Sequence, residues 1–260
     1  MDSDPLPTTS PVDPAPPLRV LVAVCTYNEI ENLPELTERI TASLPQADML
    51  VVDDDSPDGS GHWALDQATR DPRIRVIIRE KQRGLGTAIR QAFLFAIEQQ
   101  YDYLLNLDGD LSHHPETMPE LLAVATGDPQ FDVVVGSRYC PGGSIRGWPW
   151  RRRVMSRTVN RFAVSVLRLP ISDCSGSYRC YRVAKLAEIA PATLESEGYS
   201  ILEEVLVRLR SVGATMAEVP IEFTDRQRGS SKLTFAEAIR SAKQLLSLIK
   251  FPSNSTRDQA

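Results

Sequence analysis

Residues 18–29 read LRVLVAVCTYNE, an apolar run broken only by Arg19 that ends abruptly in polar residues. Such a run marks a strand buried on both faces, because a strand with one wet face alternates apolar and polar positions instead. DMLVVDD at 48–54, RIRVIIR at 73–79, YDYLLNLD at 101–108 and FDVVVGS at 131–137 read the same way. Between them, residues 30–44 and GTAIRQAFLFAIEQQ at 86–100 place apolar residues at helical spacing. Strands alternating with helices predict an α/β fold, a mostly parallel sheet flanked by helices, with no internal repeat. Ligands of such sheets bind beyond the carboxyl ends of the strands. Those ends here are Cys25-Thr26-Tyr27-Asn28-Glu29, Asp53-Asp54-Asp55-Ser56-Pro57-Asp58-Gly59, Asp108-Gly109-Asp110 and Gly136-Ser137-Arg138.

The 260 residues suffice for one α/β domain, placed at 18–251. Residues 1–17 carry six prolines and almost nothing apolar, which predicts a disordered tail, and 252–260 a flexible end. A net charge of -5 leaves no excess of cation to displace counterions from nucleic acid. Cys25, Cys140, Cys174 and Cys180 are scattered, matching neither a zinc site nor a disulfide framework, so a reducing cytoplasm is expected. No apolar run is long enough to span a bilayer and no signal peptide is recognisable, so any membrane contact is expected to be peripheral or through a partner.

Asp108 and Asp110 directly follow an apolar strand. Two carboxylates so close repel unless a cation lies between them, and a hard ion such as Mg2+ or Mn2+ takes carboxylates while keeping positions open for phosphates. The competing reading is an exposed Asp-Gly turn. Ser112, His113 and His114 stand just beyond, as a further ligand or as a cap on the helix starting near Pro115. Asp53 suits a hydrogen bond to a base or ribose, whereas Asp58 reads as a cap on the next helix. Gly84-Leu85-Gly86 lacks the third glycine of a dinucleotide fingerprint, since Ile89 stands there, but could turn helix amides toward a nucleotide phosphate.

Residues 133–172 hold eight arginines and no lysine or acid. Arg151 to Leu169 reads as an amphipathic helix, with Val154, Val159, Phe162, Ala163 and Val166 on one side and Arg153, Arg157 and Arg161 on another. With Trp148 and Trp150 before it, the helix fits an anionic membrane surface or a phosphate clamp. A plain solvated surface helix is the alternative. No aromatic stacking platform accompanies the arginines, which speaks against RNA. FAEAIRSAKQLLSLIKF at 235–251 reads as a second amphipathic helix.

Taken together, TYNE (26–29), DDDSPDG (53–59), REKQRGLGTA (79–88), DGDLSHHP (108–115), GSRY (136–139), RRRVMSR (151–157), SDCSGSYRCYR (172–182) and FTDRQRGSSKL (223–233) resemble, in order, the motifs of the dolichyl-phosphate (polyprenol-phosphate) mannose synthases. These are family 2 glycosyltransferases with a GT-A fold. The resemblance implies inverting transfer of mannose from GDP-mannose to a polyprenyl phosphate, with Mg2+ or Mn2+, by a short form lacking transmembrane helices. Such a protein would rest on the cytoplasmic face of a membrane, alone or with an anchor subunit. It implies that Tyr27, Glu29 and Asp53 hold guanosine and that Asp108 and Asp110 hold metal and diphosphate, with Ser112 a further metal ligand. Arg138, Arg152 and Ser156 would hold the acceptor phosphate, and Arg226 and Lys232 would close over the donor. Asp110, Arg138 and Arg152 would carry catalysis. Cys25, Asp55, Gly109 and Leu202 stand where the family commonly has proline, glycine, alanine and glutamine. A related lipid-phosphate glycosyltransferase using UDP-glucose or another donor, and a non-catalytic membrane-binding module, are the other readings.

Overall fold

The computed structural model describes residues 17–81 and 83–226. Lys232, the helix read at 235–251, residues 1–16 of the tail and the C-terminal end lie outside the described residues. The strands are β1 (Val20–Thr26), β2 (Asp48–Asp53), β3 (Ile74–Ile78), β4 (Tyr103–Asp108), β5 (Val133–Ser137), β6 (Ser144–Arg146), β7 (Arg179–Arg182), β8 (Met216–Pro220) and β9 (Glu222–Thr224). Seven form one sheet in the order β3-β2-β1-β4-β7-β5-β8, and β6 pairs with β9 separately. β1 sits centrally, parallel to both β2 and β4. Its register sets Thr26 beside Asp53 and Cys25 beside Asp108, so the polar ends foreseen from the sequence meet at one edge.

The helices are α1 (Leu33–Ser43), α2 (Ser60–Arg70), α3 (Leu85–Glu98), α4 (Met118–Thr126), α5 (Trp150–Val166), α6 (Val183–Ala187) and α7 (Ile201–Ser211). They lie on both faces of the sheet because alternate strand residues point to opposite sides. Leu21, Ala23, Leu50 and Val52 pack with Ala92 and Phe93 of α3 and Leu206 of α7. Val22, Val24, Met49 and Val51 pack with Leu36 and Ile40 of α1 and Leu121 of α4.

One strand breaks the expected pattern. β7 runs antiparallel between β4 and β5. Its reversed direction brings the segment leading into it, residues 172–178, to the same edge as the carboxyl ends of β4 and β5. A four-residue strand, RCYR, has too little periodicity to announce this from sequence.

Candidate active site

The loop after β2 is built on its own carboxylates. Asp53 is fully buried: Oδ2 accepts the hydroxyls of Thr26 (2.8 Å) and Ser56 (2.6 Å), and Oδ1 the Ser56 amide (2.8 Å). The side chain expected to meet the donor is thus engaged by the loop. Asp54 forms a buried ion pair with Arg79 and accepts the Gly84 amide at 2.7 Å. The Gly86 amide goes to the Glu197 carbonyl at 2.8 Å, and a Cβ on Gly86 would overlap the 196–197 backbone. The glycine-rich turn therefore spends these amides on protein partners, correcting the expectation that they face a phosphate. Asp58 accepts the amide of Ser60, the first residue of α2, at 2.9 Å, and that of Ile30 at 3.0 Å, so it fastens the helix start to the loop after β1. Asp55, where glycine is common, has φ +53°, a left-handed conformation that aspartate tolerates better than most residues. Tyr27 and Glu29 stay half-exposed on the loop after β1, with the Arg83 guanidinium 5.3 Å from the Tyr27 ring centre.

At the end of β4, Asp108 lies 3.5 Å from His113 Nε2. Burial pushes its carboxyl up, but His113, the Ser177 hydroxyl and the Arg226 guanidinium outweigh this and hold it below the ordinary carboxylate value. Asp110 is buried, paired with Arg226 at 2.8 Å, and accepts the Ser112 amide at 3.0 Å. The buried Ser112 hydroxyl has no hydrogen-bond partner among the described residues. The side chains of Ser112, His113 and His114 form no cap on the turn at Pro115–Thr117. His113 instead packs against Tyr178 and Phe223, and His114 lies 3.2 Å from Arg39 Nη2.

No three His, Cys, Asp or Glu converge on a metal position among the described residues. Mg2+ and Mn2+ need no such cage: one or two carboxylates suffice, with water and substrate phosphates completing the shell. Two carboxylates and an orphaned hydroxyl fit that donor set.

The arginine segment is acid-free only in sequence. Arg138 is buried in a two-pronged pair with Asp173, Nε to Oδ2 at 2.7 Å and Nη2 to Oδ1 at 2.9 Å. Arg146 pairs with Glu222 at 2.7 Å and Arg152 with Asp225 at 3.3 Å. Burial disfavours the Arg138 charge, yet Asp173 more than restores it and raises the guanidinium above its ordinary value. Nη1 of Arg138 stays outside these bonds. Ser156 meets the Tyr139 hydroxyl at 2.7 Å. On α5 only Asn160 and Ala163 are buried. Trp150, Val154, Met155, Val159 and Phe162 are all more than half exposed, beside exposed Arg151, Arg153, Arg157 and Arg161. The apolar side expected to act as a unit is thus divided, Ala163 facing inward, Val166 half-buried, and Val154, Val159 and Phe162 outward.

Sequence reasoning passed over Asp54, Arg79, Asp173, Asp225 and Glu203. The signal for Asp173 was available in principle, since a buried arginine demands a carboxylate. Leu202, where the family commonly has glutamine, buries its side chain and offers only its carbonyl, to buried Arg179 at 2.7 Å. Next to it, burial pushes the Glu203 carboxyl up to about 7; Arg179 and Arg138 pull it down and Asp173 pushes it further up. The folded protein then keeps a proton that the unfolded chain releases near the ordinary carboxylate value. Stability from this group is present below the ordinary carboxylate value, falls as pH rises from there to about 7, and levels off above it. Glu203→Gln is expected to raise the Tm by a few degrees at pH 8 and leave it nearly unchanged at pH 4, below the ordinary carboxylate value. Equal shifts at both pH values would refute this.

An edge of this kind, with acidic strand ends on parallel strands and a basic helix tied to it through Asp225, fits a GT-A glycosyltransferase. The model for "Glycosyl transferase family 2" matches residues 21–190, and the chain belongs to that family. It is 41% identical over 226 residues to the polyprenol monophosphomannose synthase of Mycolicibacterium smegmatis, covering 85% of this chain and 84% of that protein. It is 40% identical over 218 residues to the undecaprenyl-phosphate mannosyltransferase of Micrococcus luteus, covering 84% and 88%. Its fold matches glucosyl-3-phosphoglycerate synthase from Mycobacterium tuberculosis, solved with Mn2+ and UDP (TM-score 0.62, 18% identity, 91% of this chain and 82% of that one). It also matches a mannosyltransferase from Pyrobaculum calidifontis solved with GDP-Man and Mn2+ (TM-score 0.59, 18% identity, 92% and 66%). Among the described residues no helix is long and apolar enough to cross a membrane.

Proposed function

We propose that the protein transfers mannose from GDP-mannose to a polyprenyl monophosphate at a membrane surface, inverting the sugar linkage. The observation that carries this reading is the meeting of two chemistries across two adjacent residues. Arg226 reaches the Asp110 carboxylate at 2.8 Å, and Asp225 reaches the acceptor-side Arg152 at 3.3 Å. The names of the two curated relatives support a mannosyl donor and a polyprenyl phosphate acceptor.

Tyr27 and Glu29 hold the guanosine, and Asp53 fixes the loop beside it. Asp108, Asp110 and Ser112 hold a divalent ion, Mg2+ or Mn2+. When bound, that ion neutralises charge gathering on the departing diphosphate. Arg226 turns from Asp110 to the diphosphate, and Lys232 serves the same diphosphate. Arg138, Arg152 and Ser156 hold the lipid phosphate in line with the anomeric carbon. A phosphate monoester is already anionic at neutral pH, so no general base is required. One in-line displacement converts an α-linked donor into a β-linked lipid phosphate. The exposed Trp150, Val154, Val159 and Phe162, ringed by arginines, rest on an anionic leaflet, where the lipid is presented.

A donor-and-lipid panel with purified protein tests this reading. Label should pass from GDP-mannose, not UDP-glucose, to polyprenyl phosphate in anionic vesicles, and EDTA should stop it. Val159→Glu with Phe162→Glu should slow transfer to vesicle-held lipid about tenfold while sparing a short, water-soluble prenyl phosphate. Preference for UDP-glucose would overturn the donor assignment, and equal loss on both acceptors would overturn the membrane role.

A further inference from the structure

We infer that Asp225 is a positioning residue for the lipid acceptor, acting through Arg152; this rests on the acceptor reading above. Asp225 follows β9 directly and precedes Arg226. Successive side chains of an extended chain point to opposite sides. Arg226 accordingly reaches Asp110, while Asp225 turns toward α5.

There its carboxylate serves two donors. Oδ1 accepts the Trp148 indole N–H at 3.0 Å, and Arg152 Nη1 lies 3.4 Å from Oδ1 and 3.3 Å from Oδ2. The Arg152 guanidinium also stacks 3.9 Å above the Trp148 ring centre. The arginine is thus held by charge from one direction and by a ring from another. Its Nε and Nη2 engage no protein acceptor among the described residues. That is the paired edge with which a guanidinium grips two phosphate oxygens.

The backbone is built to bring Asp225 to this place. Its amide donates to the Arg146 carbonyl at 3.0 Å, and the Thr224 amide to that of Ser112 at 3.1 Å. Gly147 has φ +84°, and a Cβ there would come within 2.9 Å of the Asp225 Cβ, so the close approach needs glycine.

Stability does not account for the arrangement. Arg152 and Asp225 are 40% and 34% exposed, and such pairs contribute little to folding. Orientation does account for it. A long, freely rotating arginine loses rotamer freedom when it grips a phosphate, and one already fixed on Trp148 and Asp225 loses less.

The experiment measures KM for polyprenyl phosphate, KM for GDP-mannose and Tm in wild type, Asp225→Ala, Asp225→Asn, Arg152→Ala and the Arg152→Ala/Asp225→Ala double variant. Asp225→Ala should raise the lipid KM about tenfold while donor KM stays within about twofold and Tm does not move. Asp225→Asn, whose amide oxygen still accepts the indole N–H, should fall between. In the Arg152→Ala background, Asp225→Ala should add nothing, since its effect passes through that arginine. An unchanged lipid KM in Asp225→Ala, an equal rise in donor KM, or full additivity in the double variant overturns the inference alone. Failure of the wild type to label any lipid phosphate overturns the underlying reading with it.

Discussion

Asp110→Ala is expected to lower kcat/KM about 10²- to 10³-fold, the scale seen when one preorganised electrostatic contact to a developing charge is removed. The loss should fall mainly on the chemical step, because the contact matters most as charge moves onto the leaving diphosphate. The fold should survive: Asp110 interacts with a partly exposed arginine, Arg226, and with the nearby Ser112 amide, and its removal leaves no buried charge stranded. Asp110→Asn should lose nearly as much activity, since it keeps shape but not charge. Steady-state kinetics with titrated Mn2+ check the result. Full activity of either variant at saturating metal would rule out the metal role of Asp110.

Arg138→Ala is expected to cost more in stability than any single change at the acceptor side. Asp173 has no exposed surface and its carboxylate is held ionised by Arg138. Burial pushes that carboxyl up; the Arg138 charge and hydrogen bonds, with Arg179, outweigh it and bring it below the ordinary value. Removing one partner of such a pair strands the other charge, at about 3–5 kcal/mol. For a chain of this size that corresponds to a Tm lowered by about 10 °C. Arg138→Lys keeps the charge but not the two-pronged grip, and should recover part of the Tm while transfer to the lipid stays impaired. Thermal unfolding of the three proteins is the measurement, and a Tm within about a degree of wild type for Arg138→Ala would exclude the buried pair as described.

The same pair marks where the sequence stops being readable. The strand at Val20–Thr26 was legible because burial on both faces leaves its print on consecutive residues. The carboxylates at 53 and at 108–110 were legible as candidates because they directly follow such strands. Arg138 and Arg152 were legible as a basic cluster, but not as paired residues. Their partners lie 35 and 73 positions away. Asp173 arrives because β7 reverses between β4 and β5, and Asp225 because β9 lies beside β6. Asp53 shows the converse. Its strand-end position was read correctly, but its oxygens turn inward to Thr26 and Ser56, a choice that a neighbouring strand makes.

By itself, the sequence determined the alternation of buried strands and amphipathic helices, the placement of acids and arginines at strand ends, and the family, through an ordered set of motifs. These are local properties, written in residue type and spacing. The tertiary structure decided which charge each arginine meets, that Asp53 and the glycine-rich turn serve the loops instead of lying open, and that the large apolar residues of α5 face outward. Those outcomes depend on strand order and direction, which bring distant segments within a few ångströms, and no stretch of sequence carries that information alone.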